Sequence, residues 1–101
     1  MNLAKLLRGK VANRKLQRHL TELARVLEAD NMEAFRKLSA KRGLQAQTPA
    51  VCEIAFHKTR LEMVGRISRE KRLASAFWLK ERGCTRPDGS DPFTAIEVST
   101  Q

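Results

Sequence analysis

The chain has 101 residues, enough for one domain with a modest core. It has no Tyr, is rich in Leu and Ala, and never strings Val, Ile and Thr into long alternating runs, which argues for helices over sheet. Its 20 Lys and Arg outnumber 11 Asp and Glu for a formal charge of +9, and no apolar run approaches the ~20 residues of a membrane span.

The opening MNLAKLLRGKVANRK is basic and leucine-bearing, but its apolar run is too short and too interrupted for a secretory signal. An amphipathic helix lying on a membrane surface is one reading left open for it. Leu16, Leu20, Leu23 and Leu27 recur at helical spacing and form one stripe. Leu3, Leu7 and Val11 form an earlier stripe on nearly the opposite side. One helix is therefore predicted from about residue 2 to 29, fraying or bending near Gly9. Asp30-Asn31-Met32-Glu33 fits a capping box that starts a second helix. Its inner face is Met32, Phe35 and Leu38, and Gly43 is its natural stop. Lys41 and Arg42 fall in the last turn, where the helix dipole favours cations.

Thr48-Pro49 signals a third start, a threonine cap followed by proline at the first helical position. Nothing then stops a helix until Gly83. Such a helix would be ~50 Å long, against a radius of gyration of only ~13 Å for a compact domain of this size. Two apolar stripes offer a way out, Val51/Ile54/Leu61 and Phe56/Met63/Ile67/Ala74/Phe77/Trp78, with Gly65 near the changeover. The helix either bends there or stays straight and packs its overhang on a second copy, giving a homodimer through the long helix. Beyond Gly83, TRPDGSDP is turn chemistry. FTAIEVSTQ reads as a tail, a docked segment, or a strand formed on a partner. Its Asp88, Asp91 and Glu97 are placed to fold over the basic half and compete with an anionic ligand. The expected fold is all-α. It has three helices, the last one long, or four if that helix bends near Gly65. They form a bundle over residues 1–83, followed by a short non-helical tail at 84–101.

Catalytic chemistry finds little support. Glu53 and His57 are four apart and can share a helix face as acid and base or as two metal ligands, but no third ligand stands with them, and a plain helix-surface contact accounts for the pair. His19 belongs to no motif. No glycine-rich phosphate loop and no nucleophile motif is present. Cys52 and Cys84 are two isolated thiols, neither a disulfide framework nor a zinc site. They read as reduced, in a cytoplasmic setting. The expectation is a non-enzyme without cofactor or metal.

The charge is more telling. Residues 1–47 carry eleven Lys/Arg against Glu22, Glu28, Asp30 and Glu33, a net +7, whereas residues 48–101 carry nine against seven, a net +2. In RISREKRLASAFWLKERG, charges spaced by four can pair along one wet face, and Trp78 falls on the apolar stripe. That segment reads as a solvated face and a packing face more than as a stacking platform, although Arg69, Lys71 and Arg72 remain open to phosphate. In the first half, Arg14, Arg18 and Arg25 lie opposite the leucine stripe, with Lys15 at the edge. Arg36, Lys37, Lys41 and Arg42 decorate the second helix. Such a row neutralises phosphates and releases counterions; the plainer reading is a face that keeps the protein in solution.

FRKLSAKRGLQAQTPAVCEIAFHKTRL resembles a helix-turn-helix, with Leu38, Gly43, Leu44, Val51 and Ile54 as its small core. It departs from the motif in the Pro49-Ala50 insertion after the cap and in the length of its second helix. The resemblance implies that Gln45, Gln47 and Thr48 approach base edges or phosphates, flanked by Lys58 and Arg60. The expected function is that of a small nucleic-acid-binding regulatory or accessory protein, DNA ahead of RNA, acting mainly through phosphates. The alternative is an inhibitor or adaptor docking the same basic face on an acidic protein.

Overall fold

The computed structural model describes residues 14–41 and 48–97, which fold into four α-helices and one 3-10 turn. These are α1 (Arg14–Glu28), α2 (Met32–Lys41), α3 (Pro49–Glu62), α4 (Arg69–Glu81) and the turn Pro92–Ala95. The fold is all-α, and no described helix is long and apolar enough to cross a membrane. The predicted start of the first helix, its bend at Gly9 and the stop at Gly43 lie outside the described residues.

The α1–α2 corner is not built as the capping box suggests. Asp30 adopts a left-handed φ of 57°. Its amide donates to the Leu27 carbonyl, and the Asn31 amide to the Val26 carbonyl. That is a Schellman ending of α1, with Asp30 in the place glycine usually takes. Asn31 is then the true cap of α2, its Oδ1 accepting from the Ala34 amide at 3.1 Å. The start of α3 is as predicted, with Thr48 Oγ1 accepting from the Val51 amide at 3.2 Å and Pro49 in the first turn.

The single long helix from Pro49 to Gly83 does not form. The chain leaves helical geometry at Met63 and turns through Gly65, at φ 83°. It restarts at Ser68, whose hydroxyl accepts from the Lys71 amide. This is a reversal rather than a bend. His57 and Arg60 of α3 face Ser75 of α4, so α3 and α4 form an antiparallel hairpin. The overhang that called for a second copy therefore never arises. Restarting the helix also resets its phase. The inner face of α4 is Arg72, Ser75, Ala76 and Leu79, and Phe77 of the predicted stripe is 56% exposed, with Ala74 also outward. On α3, Val51 likewise faces out.

Two apolar clusters result. Val26, Leu27, Phe35, Cys52, Phe56 and Ile67 join α1, α2 and α3, with the Phe35 and Phe56 rings edge to face at 5.4 Å. Leu61, Ala76 and Leu79 join α3 and α4 to Trp78, Cys84, Phe93, Ala95 and Ile96. The second cluster makes 84–97 a docked segment. Pro92–Ala95, part of the stretch with strand-like composition, is a 3-10 turn capped by Asp91, whose carboxylate accepts from the Phe93 amide at 2.8 Å.

Candidate nucleic-acid interface

The cations of this protein fall into two populations, separated by whether they have a partner. Those of α4 and the docked segment are engaged. Arg72 is buried, donating to the Ile67 and Ala95 carbonyls and pairing with Glu97. Arg69 donates to the Glu97 carbonyl, Lys71 pairs with Asp30 at 2.6 Å, and Lys80 pairs with Asp91. Arg86 grips Glu62 with two bonds of 2.8 Å. Arg72 is thus withdrawn from phosphate and Lys71 is paired, while Arg69 stays exposed with one bond to a carbonyl. Of the tail acids expected over the basic half, Asp91 and Glu97 pair with cations of α4 instead, and Asp88 accepts from Ser90. Asp91 and Glu97 are each held below the usual carboxylate range, chiefly by the cationic partner.

Arg60, expected to flank bases, is buried at 3% exposure. Its guanidinium donates to Ser75 Oγ at 2.7 Å and to the Leu27 carbonyl at 3.3 Å, and it pairs with Asp30. Ser75 Oγ, accepting from Arg60, has its own proton to give to His57 Nδ1, 2.9 Å away. His57 is correspondingly neutral, its pKa lowered to about 4 by burial and then by the Arg60 and Arg82 cations. Ser75 is fully buried, so this serine–histidine contact offers no face to a substrate. Glu53 makes no bond to His57. Among the described residues no group of His, Cys, Asp or Glu is placed to hold a metal. Trp78 is no stacking platform either. His57 stacks on it at 4.1 Å, and the Arg82 guanidinium lies 3.8 Å from its ring centre.

On α1 and α2 the picture reverses. Arg14, Lys15, Arg18, Arg25, Arg36 and Lys41 are all exposed, and among the described residues none of their side chains has an ion-pair partner. Lys37 has a loose one, Glu33 at 3.9 Å. Arg14, Arg18 and Arg25 lie on the face of α1 opposite the leucine stripe, which ends in fully buried Leu27. The tight α1–α2 corner sets the helices side by side and brings Lys41 of α2 beside cations of α1. Lys15 and Arg18 of α1 and Lys41 of α2 line one groove of about 250 Å³, with His19, Glu22 and Leu38. Arg36 and Lys37 do not line it. Arg42, Gln45 and Gln47, with the turn of the helix-turn-helix resemblance, lie outside the described residues.

The sequence identified the exposed cations but not the engaged ones. Pairs such as Arg86–Glu62 and Arg60–Asp30 are 24 and 30 positions apart, and no local spacing announces them. The comparisons with known proteins give no match to a protein family, to a curated protein or to a solved structure.

Proposed function

We propose that the protein binds nucleic acid, DNA ahead of RNA, through the α1–α2 face, acting as a small regulatory or accessory factor. The reading is carried by one observation: the cations of α4 and the docked segment have internal partners, while among the described cations of α1 and α2 only Lys37 has an ion pair, a loose one with Glu33. Unpaired cations have no desolvated partner to give up, so each phosphate contact adds attraction and releases a counterion. Lys15, Arg18 and Lys41 would hold phosphates in the groove, and Arg14 and Arg25 would extend the track along α1. Few side chains there suit base edges, so readout of sequence is limited and affinity is electrostatic.

Titrating labelled DNA at two salt concentrations tests this. Binding should be strong at ~50 mM salt and fall steeply by ~200 mM, because several phosphates are neutralised at once. Absence of binding at the lower salt would favour the second reading, an inhibitor or adaptor docked on an acidic protein. That reading draws on the apolar Leu38 in the floor of the groove, a contact that phosphate does not need.

A further inference from the structure

The geometry points to a base-binding crevice beside the cationic groove, so that the ligand is a single strand with one unstacked base inserted. This rests on the nucleic-acid reading and narrows it.

Next to the groove lies a second depression of about 160 Å³, where three helices meet. Leu23 of α1, Phe35, Leu38 and Ser39 of α2, and Ala55 and Thr59 of α3 wall it. His19 and Leu38 line both depressions, so the two are immediate neighbours. One compartment is walled mainly by carbon; its neighbour holds Lys15, Arg18 and Lys41 against Glu22, the one carboxylate among the described lining residues. The ligand that fits has a compact apolar body joined to an anion. A nucleotide is such a body, its base entering the crevice and its flanking phosphates resting on the cations. The Ser39 and Thr59 hydroxyls can each donate or accept, so they suit any base edge without selecting one.

A duplex cannot use the crevice, because its bases are paired and stacked inward. A single strand presents unstacked bases without that cost. Trp78, the aromatic on which a base would otherwise stack, has its ring engaged by His57 and Arg82. Continuation of the cation track through Arg14 and Arg25 favours a polyanion over a peptide with one apolar anchor.

The test compares three ligands of equal length by fluorescence anisotropy at low salt: oligo-dT of roughly ten nucleotides, the same strand made of abasic sugar-phosphate units, and a duplex. Oligo-dT is expected to bind roughly tenfold more tightly than the abasic strand, the usual worth of one inserted base, and more tightly than the duplex. Ser39→Leu, which fills the crevice, should reduce oligo-dT to the abasic level and leave abasic binding unchanged. Thr59→Leu is the second filler should the first lower the helical content. Equal affinity for oligo-dT and abasic strand overturns the crevice while leaving phosphate binding standing, and so does a folded filler without effect. Failure of every ligand to bind overturns the parent reading instead. An acidic leucine-bearing peptide that displaces oligo-dT and is itself excluded by Ser39→Leu would assign the crevice to a protein and defeat the base.

Discussion

Asp30 shows how one residue can serve backbone and side chain together. Its left-handed φ ends α1, a conformation Asp tolerates better than most residues with a Cβ. Its carboxylate, 52% exposed, collects Lys71 and the buried Arg60, and these contacts hold it below the usual carboxylate range, Lys71 most strongly. Arg60 in turn ties the end of α1 to Ser75 in α4. Arg60→Leu should therefore cost about 2–4 kcal/mol in urea denaturation, since it strands the Leu27 carbonyl and removes a charged bond; a loss below ~0.5 kcal/mol, the usual scatter of surface changes, would contradict this. His57 predicts a pH dependence. The unfolded chain takes up this proton near 6.5 and the folded chain only near about 4. Between those values the unfolded state binds more protons, so stability is full above the window and falls as pH drops through it. The slope is at most ~1.4 kcal/mol per pH unit. His57→Gln should flatten that slope, and an unchanged profile would show that His57 is not the group responsible. The lowered carboxylate of Asp30 adds a separate loss below its ordinary value of 3.8. None of this network was legible in the sequence. A heptad-like stripe marks apolar neighbours, whereas Arg60 meets partners 15, 30 and 33 residues away.

At the level of elements, start and stop signals decided the architecture more than periodicity did. Gly65 and Ser68 mark the break between α3 and α4, a positive-φ exit followed by a capping hydroxyl. Glu28 reinforces the restart, accepting from both the amide and the hydroxyl of Ser68 at 2.8 Å. Gly65→Ala should cost ~1–2 kcal/mol from backbone conformation alone, because a Cβ there meets nothing within 4 Å. Ser68→Ala should cost about 0.5–2 kcal/mol through removal of the cap. Chemical denaturation measures both, and two neutral results would mean that the hairpin is held by packing instead. The leucine stripe of α1 and the Met32/Phe35/Leu38 face of α2 are legible from spacing, because each helix runs unbroken through its pattern and packs on the first apolar cluster. The face of α4 is not. Its phase is set at Ser68, and a wheel drawn from Pro49 carries the wrong phase past the turn. The capping-box pattern is displaced by one residue for a similar reason, as Asp30 is drawn into ending α1 and Asn31 takes over the cap.

Across the whole molecule, the net charge of +9 is less informative than its distribution. In the C-terminal half, Glu62, Asp91 and Glu97 pair with Arg86, Lys80 and Arg72, and the segment 84–97 packs partly buried Phe93 and Ile96 on the second cluster. The described cations of the N-terminal half are exposed to water. The order of charges along the chain revealed the asymmetry; the groove shared by α1 and α2 and the crevice beside it needed coordinates, because both depend on how the helices close on one another. The most direct measurement is the salt dependence of DNA affinity for the native protein, for the combined variant Arg14→Glu, Arg18→Glu and Arg25→Glu, and for a control, Lys58→Glu, on the other half. The triple variant should keep its circular dichroism spectrum and either cease to bind or show a smaller slope of log affinity against log salt, reduced by about 0.7–0.9 for each phosphate it no longer neutralises. The control should keep a slope close to native. A triple variant that binds with native affinity and native slope would contradict the account.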